Sequence, residues 1–241
     1  MLAALRLQME WGADEALLDE PVDRFARMAP VVPNRVPPLR PTLHPVARPA
    51  ATAIAANDLA GLHAEMDALA HPLRATASHT VGPAGNQHSG LLLIGEAPGP
   101  DDDRSGQAFS GPAGATMDRV LASAGLSREQ AMLAFLVPWR PPGGRKPTES
   151  EIAFCLPYLH RLLLLVRPRR TVLMSGLALR ALTGDAGGVR RGRGRWTAVT
   201  VPGADPIPAL PMPPPELWLS SANAKSATWA DLLALRAALD A

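Results

Sequence analysis

The sequence predicts an α/β fold built around a parallel sheet, and three observations carry it. Short, almost wholly apolar runs ("GLLLIG", "AMLAFLV", "RTVLM") stop at Gly- or Pro-rich turns, as buried strands do. Segments of helical apolar spacing lie between them, so strand and helix alternate, the pattern of a parallel sheet covered on both faces. The chain's 241 residues, 47% of them hydrophobic, suffice for one sizeable core and a small extension.

In chain order, residues 2 to about 20 read as an amphipathic helix. Acidic residues come early there, and no cationic stretch precedes a long apolar run, so a signal peptide is not expected. "APVVPNRVPPLRPTLHPVARPAATA" then reads as an extended, semi-rigid linker. The expected organisation is a helical extension over 1–28, a Pro-rich linker over 29–53 and a folded domain over 54–241. Leu59, Leu62, Met66 and Leu69 form a helical stripe, with Asn57 or Asp58 to cap it. "GLLLIGEAPG" reads as a strand feeding a loop, "GPAGATMDRVLASAGLS" as a helix ending near Gly125, and "AMLAFLVPW" as a second strand. Thr148 with Glu151 three residues on is a capping box that opens the helix "TESEIAFCLPYLHRLLLLVRP", in which Pro157 should introduce a kink. "RTVLMSG" is a third strand, "LALRALTG" a short helix, "PIPAL" a short fourth strand and "NAKSATWADLLALRAALD" the last helix. A site in such a fold is expected at the carboxyl ends of the strands.

Charge and cysteine narrow the function classes. Lys plus Arg total 24 against 22 Asp plus Glu, a formal net charge of +2, so any nucleic-acid surface must be a local basic patch. Cys155 is the single cysteine. That excludes an internal disulfide and makes a reducing, cytoplasmic compartment the default; an iron–sulfur cluster needs about four thiolates. No cofactor and no metal site are expected. No stretch is apolar enough for a membrane span, and no membrane partner is expected.

Three loops hold the chemistry. "GEAPGPDDDRSGQAFSGPAG" sets backbone N–H groups, at glycines that permit close approach, beside the carboxylates of Glu96, Asp101, Asp102 and Asp103. No Lys follows as in a phosphate-binding P-loop, and an ordinary acidic strand-to-helix loop is the plain alternative. "RRGRGRW" and the loop carrying Arg140, Arg145 and Lys146 are the local basic runs; the first reads equally as a solvated loop. "PMPPPELWLSSANAK" is a Pro-stiffened turn tipped by Leu217, Trp218 and Leu219.

The run G-E-A-P-G, an acidic pair and F-S-G-P-A-G resembles motif 1 of the uracil-DNA glycosylase superfamily. The nearest branch is the family 4 type, in its cysteine-poor bacterial form. The resemblance continues through "VPWRPPGGRKPTESEIAFCLPYLHRLLLLVRPRR", "VLMSGLALRALTG", "RGRW" and "AKSATWADLL", and takes in the amino-terminal "WGADEALLDEPVDR". It implies a three-layer α/β/α sandwich with a central four-stranded parallel sheet. It implies a partner, single-stranded or damaged duplex DNA, and the task of flipping a base into a pocket and breaking its N-glycosidic bond. Glu96, Asp102 and Asp103 match the catalytic acidic positions, with Asp102 in place of a usual glutamate. Gly95, Ala97, Pro98 and Gly99 match the base-binding turn, and Phe109 the stacking aromatic, against the plain alternative of core packing. Arg140, Arg145, Arg193, Arg195, Leu217, Trp218, Leu219 and Lys225 fall where DNA contacts are expected; for Trp218, capping the core is the equal alternative. Cys155 sits where cluster-bearing relatives keep a ligand, and Ala68 and His71 near their missing Cys pair.

Two departures set this chain apart. Phe135 stands where the family has an Asn that reads the uracil edge, and a Phe pairs with neither a carbonyl nor an N–H. Pro214 stands where motif 2 has its His, so that motif is degenerate. Three functions remain open: a divergent repair protein weak or inactive on uracil; an active glycosylase of altered specificity, a base sandwiched between Phe109 and Phe135; and a non-catalytic protein that recruits repair partners through the amino-terminal helix and linker.

Overall fold

In the computed structural model, residues 54–240 are described. They belong to the unit Val46–Ala241. The helix expected over 1–28 and the linker over 29–53 lie outside them.

The capped stripe forms α1 (Leu59–Asp67), with Asp58 accepting from the Gly61 N–H at 2.7 Å, and a short α2 (Pro72–Thr76) follows. The chain then runs through β1 (Ala84–Gly85), β2 (Leu91–Gly95), α3 (Pro100–Ser105), α4 (Gly111–Ser123) and β3 (Met132–Phe135). It continues through α5 (Glu149–Val166), β4 (Arg170–Leu173), α6 (Gly176–Thr183) and α7 (Val189–Gly192). β5 (Thr197–Val199), β6 (Ile207–Pro211) and α8 (Ala222–Asp240) complete it.

All four strands expected from the sequence form and lie parallel, in the order β3-β2-β4-β6. The sheet is nevertheless six-stranded and mixed, not four-stranded: β1 pairs antiparallel with β3 at one edge and β5 with β6 at the other. These edge strands are two and three residues long and lack the apolar run that marks a buried strand; short edges are how sheets avoid pairing with other chains.

Alternate residues of β2 feed two cores. Leu92 and Ile94 pack with α1, α5 and α6 on one face, while Leu91 and Leu93 pack with α4 and α8 on the other. That is a helix layer on each face of the sheet. Full burial of each such side chain contributes roughly 1.5–3 kcal/mol. Pro157 lies inside α5 without dividing it into two helices. No helix among the described residues is long and apolar enough to cross a membrane.

The capping box forms as read: Thr148 Oγ1 accepts from the Glu151 N–H at 3.3 Å, and Glu151 accepts from the Thr148 N–H at 2.7 Å. Arg145 donates to both oxygens of the same carboxylate, at 2.8 and 2.6 Å. Its guanidinium is thus paired within the fold at a position where the sequence expects a DNA contact. The Arg145 hydrogen bonds, ahead of those from Thr148, hold the Glu151 carboxyl down at about 2, against an ordinary 4.5. A carboxyl with a depressed folded-state pKa stabilises above its unfolded value and loses that contribution as pH falls through the folded one. Thermal melts should show this loss between 4.5 and about 2, and Glu151→Gln should remove it.

Candidate functional site

In the parallel core, the connection from β2 leads to β3 on one side, and the chain then crosses to β4 on the other. The ends of β2 and β4 thus flank a switch point, where α/β sheets open a crevice. A cavity of about 680 Å³ lies there, walled by Gly95 at the end of β2 with Glu96 and Ala97 after it, Met174 and Ser175 after β4, and Pro213 to Leu217 after β6. The sequence placed the site at this end of the sheet. It did not single out Met174, Ser175 or the Gly187–Val189 turn that line it; the one signal for Met174 and Ser175 was their place just after the carboxyl end of β4, and the turn, which follows α6, carried none.

The acidic residues divide. Glu96 is half-buried and lines the cavity; among the described residues, no hydrogen bond engages its carboxylate. Asp102 also lines the cavity, but both its oxygens brace the loop. Oδ1 accepts from the Ser110 N–H at 2.6 Å and the Ser110 hydroxyl at 2.9 Å, and Oδ2 accepts from the Gly99 N–H at 2.8 Å. Asp103 does not line the cavity. Its oxygens accept from the Ser78 N–H and hydroxyl at 2.9 and 3.1 Å, tying an earlier segment to α3. Asp103, expected among the catalytic residues, thus braces the fold in this structure: consecutive helical residues point about 100° apart, and Asp102 and Asp103 face different surroundings. In the Gly-rich turn Ala97 and Gly99 line the cavity, whereas Pro98 is buried behind it.

Phe109 takes a left-handed backbone, φ 54°, a conformation that costs a non-Gly residue about 1–3 kcal/mol unless its surroundings enforce it. Arg128 enforces it. Its guanidinium donates to the Phe109 carbonyl at 2.7 Å and the Ala108 carbonyl at 3.1 Å, while Asp118 holds it at 2.9 Å. Gly114 leaves room for that carbonyl, since a Cβ there would fall 1.8 Å from it. Arg128→Ala should lower unfolding stability by about 1–3 kcal/mol by leaving both carbonyls unpaired, measurable by urea melts, and Arg128→Lys should recover part of it.

Phe135 is the register partner of Gly95 on the neighbouring strand. Its ring stacks directly on Phe109, with centroids 4.7 Å apart and planes inclined 27°. A Cβ on Gly95 would approach both rings to 2.8 Å. A base sandwiched between the two rings, one of the expected readings, would have to part them, because they are in contact.

In the loop after β6, Trp218 takes the core-capping place, one of the two equal alternatives that the sequence offered. Trp218 is 1% exposed, packed in the core beneath α4 and α8, with its indole N–H donating to the Pro213 carbonyl at 2.6 Å. It caps the core and presents no ring to a ligand. Leu217 and Leu219, 50% and 42% exposed, form the apolar tip instead. Pro214 faces the cavity and, as a proline, offers it no N–H.

Of the cations, Lys146 and Arg190 are exposed and line the cavity. Arg193 lines it too, but its guanidinium is committed to α8, 2.7 Å from Asp231 and 3.3 Å from the Thr228 hydroxyl. Burial pushes the Asp231 carboxyl up, against the lowering influence of Arg193. Arg140 lies away from the cavity lining, its Nε buried with no partner among the described residues. Arg195 and Lys225 are exposed beyond it.

The residues do not fit an iron–sulfur cluster. Cys155 is fully buried, and desolvation pushes its thiol up to about 12. His71, near the position of the missing Cys pair, stacks on Trp139 at 5.4 Å and packs against Phe154 at 4.4 Å. Among the described residues, no group of three or more His, Cys, Asp and Glu side chains is arranged to hold a metal ion.

A helix layer on each face of a parallel-cored sheet, with a cavity at its switch point, defines a protein of the α/β class. Residues 83–233 match the family model of the uracil DNA glycosylase superfamily, and the chain belongs to that family. It is 32% identical over 111 residues to a type-4 uracil-DNA glycosylase of Pyrobaculum aerophilum, 46% of this chain and 57% of that protein. It is 38% identical over 106 residues to one of Archaeoglobus fulgidus, 44% of this chain and 53% of that protein. To one of Saccharolobus solfataricus it is 44% identical over 85 residues, 35% of this chain and 39% of that protein. The matched stretch thus spans about half the length of these relatives or less.

Proposed function

We propose that this chain is a divergent uracil-DNA glycosylase-like protein of DNA repair that binds DNA at this pocket and acts weakly, or not at all, on uracil. One observation carries the reading: the Phe135 ring stacked on Phe109 at 4.7 Å, where a flipped base would have to lie. Pro214 adds to it, because a site that stabilises a leaving base needs a donor aimed at the developing negative charge, and motif 2 is degenerate at that position. Glu96 keeps the carboxylate side of the site. Lys146 and Arg190 at the cavity, with Arg195 and Lys225 outside it, supply the phosphate contacts, and Leu217 and Leu219 the apolar wedge. Residues 54–241 carry this site, with 1–53 as an extension, and the free Cys155 suits a cytoplasmic setting.

Binding to a single-stranded oligonucleotide, titrated against salt, tests the reading. Lys146→Ala and Arg190→Ala should each weaken binding uniformly across sequences and reduce the salt slope by about 1. No detectable binding at low salt would overturn it.

A further inference from the structure

We infer that a second pocket, at the amino ends of β2 and β4, binds a phosphate monoester through Arg169 and Arg236. It lies at the end of the sheet opposite the cavity described above, and it does not depend on the function proposed for that cavity.

Chain order and strand register bring the basic groups there. Residues 167–170, between α5 and β4, read Arg-Pro-Arg-Arg, with no acidic residue among them. Arg170 is the register partner of Leu91, and its N–H donates to the Gly90 carbonyl at 3.0 Å. Arg169 is thereby set beside Gly90. That glycine has φ 75°, and a Cβ on it would fall 3.0 Å from Arg169 Nε. The arginine lies exposed across the space that the missing side chain leaves. Among the described residues, no hydrogen bond or ion pair engages its guanidinium. Arg236 reaches the same pocket from α8.

The groups left over in the pocket are mostly donors. Asn86 and Gln130 line it. Asn86 Oδ1 accepts from the His88 N–H at 2.9 Å and Gln130 Oε1 from the Ser127 N–H at 3.0 Å, so each amide keeps its NH₂ for a ligand. Arg236 uses Nε on Asp240 at 2.9 Å and Nη1 on the Gly125 carbonyl at 2.8 Å, which leaves Nη2. Asp240 and the carboxyl end of α8 are the negative features of the wall, and Arg236 already pairs with the first. Two arginines against one aspartate leave the lining net positive. Such a site calls for a ligand rich in acceptor oxygens and negatively charged. A phosphate monoester carries roughly −1.5 to −2 charge near neutral pH and three strong acceptor oxygens, and guanidinium forks match it. Leu126 and Leu239 give the pocket an apolar side for the ester's carbon atoms. Its volume of about 260 Å³ falls below the roughly 300–1,000 Å³ of sites that enclose drug-sized ligands, so the ligand is small or enters phosphate first. A free mononucleotide and the phosphorylated end of a strand share this chemistry.

Calorimetric titration of the full chain with thymidine 5′-monophosphate and with thymidine reads the contribution of the phosphate. The monophosphate should bind at least about tenfold tighter, a difference well resolved on an affinity scale. Arg169→Gln, a change at an exposed position that spares the fold, should erase that preference. Arg169→Lys should keep only part of it, because an ammonium lacks the planar fork. Lys146→Ala, at the strand-end cavity, should leave it intact. A 5′-phosphorylated oligothymidylate and its 5′-hydroxyl form, compared by fluorescence anisotropy, separate the two sources. A gain from the phosphate that Arg169→Gln abolishes assigns the pocket to strand ends; a mononucleotide preference without that gain assigns it to free nucleotides. Monophosphate binding no tighter than thymidine overturns the inference, as does a preference that survives Arg169→Gln or is lost in Lys146→Ala alone. The 5′-hydroxyl strand tests the DNA-binding reading separately, since its binding should depend on Lys146 and not on Arg169.

Discussion

Replacing Phe135 by Asn and Pro214 by His together is expected to raise uracil release from single-stranded DNA by at least about 10²-fold, the size of effect seen when one preorganised donor is removed from a comparable site. The two changes act in sequence. Phe135→Asn removes the ring that stacks on Phe109 at 4.7 Å, frees that face for a base, and supplies an amide able to pair with both a carbonyl and an N–H. Pro214→His then provides a donor toward the departing base. Pro214 has φ −66° and ψ 155°, an extended conformation that His adopts without strain. Because the second change works only on a docked base, Pro214→His alone should leave the rate unchanged, and Phe135→Asn alone should give part of the gain. Single-turnover assays of the four proteins read this pattern directly. A gain from Pro214→His alone would show that the slot was already open.

Trp218→Ala should destabilise the fold by about 3–5 kcal/mol, the range for deleting a buried aromatic. For a unit of this size that corresponds to a fall in melting temperature of roughly 2–4 °C per kcal/mol. The ring is 1% exposed, and its N–H is satisfied by the Pro213 carbonyl; removal leaves both a cavity and an unpaired carbonyl. Leu217→Ala and Leu219→Ala, on either side, should each fall within about 0.5 kcal/mol, as exposed positions do. Calorimetric melts of the three variants separate them. Were Trp218 instead the exposed tip of the loop, it would join the leucines in this small range.

That contrast marks the boundary of what the sequence discloses. The four parallel strands were legible because each is an apolar run bounded by turn residues, and the helices because Asp58 and the Thr148–Glu151 pair announce their starts. The sheet edges were not, since Ala84–Gly85 and Thr197–Val199 carry no such run. Within the site, the sequence named Glu96, Phe109 and Phe135 and placed the pocket at the strand ends. It could not say which way consecutive residues face. Leu217, Trp218 and Leu219 are three apolar residues in a row, and only the middle one turns inward. Asp102 and Asp103 diverge in the same way. Arg145 and Arg193 read as free cations because their partners are set by tertiary structure: Glu151 lies six residues along the chain, and Asp231 lies 38 away on α8. The contact between Phe109 and Phe135 follows from strand register together with the Arg128 clamp, neither of which a linear reading contains.

The deciding measurement is single-turnover uracil release by the unaltered chain on a single-stranded oligonucleotide carrying one uracil, run beside the Phe135→Asn/Pro214→His variant. With Phe135 stacked on Phe109, the unaltered chain should yield little or no abasic product over the period in which the double variant converts its substrate. Conversion by the unaltered chain as fast as by the double variant would contradict the occluded slot, and with it the function proposed for this protein.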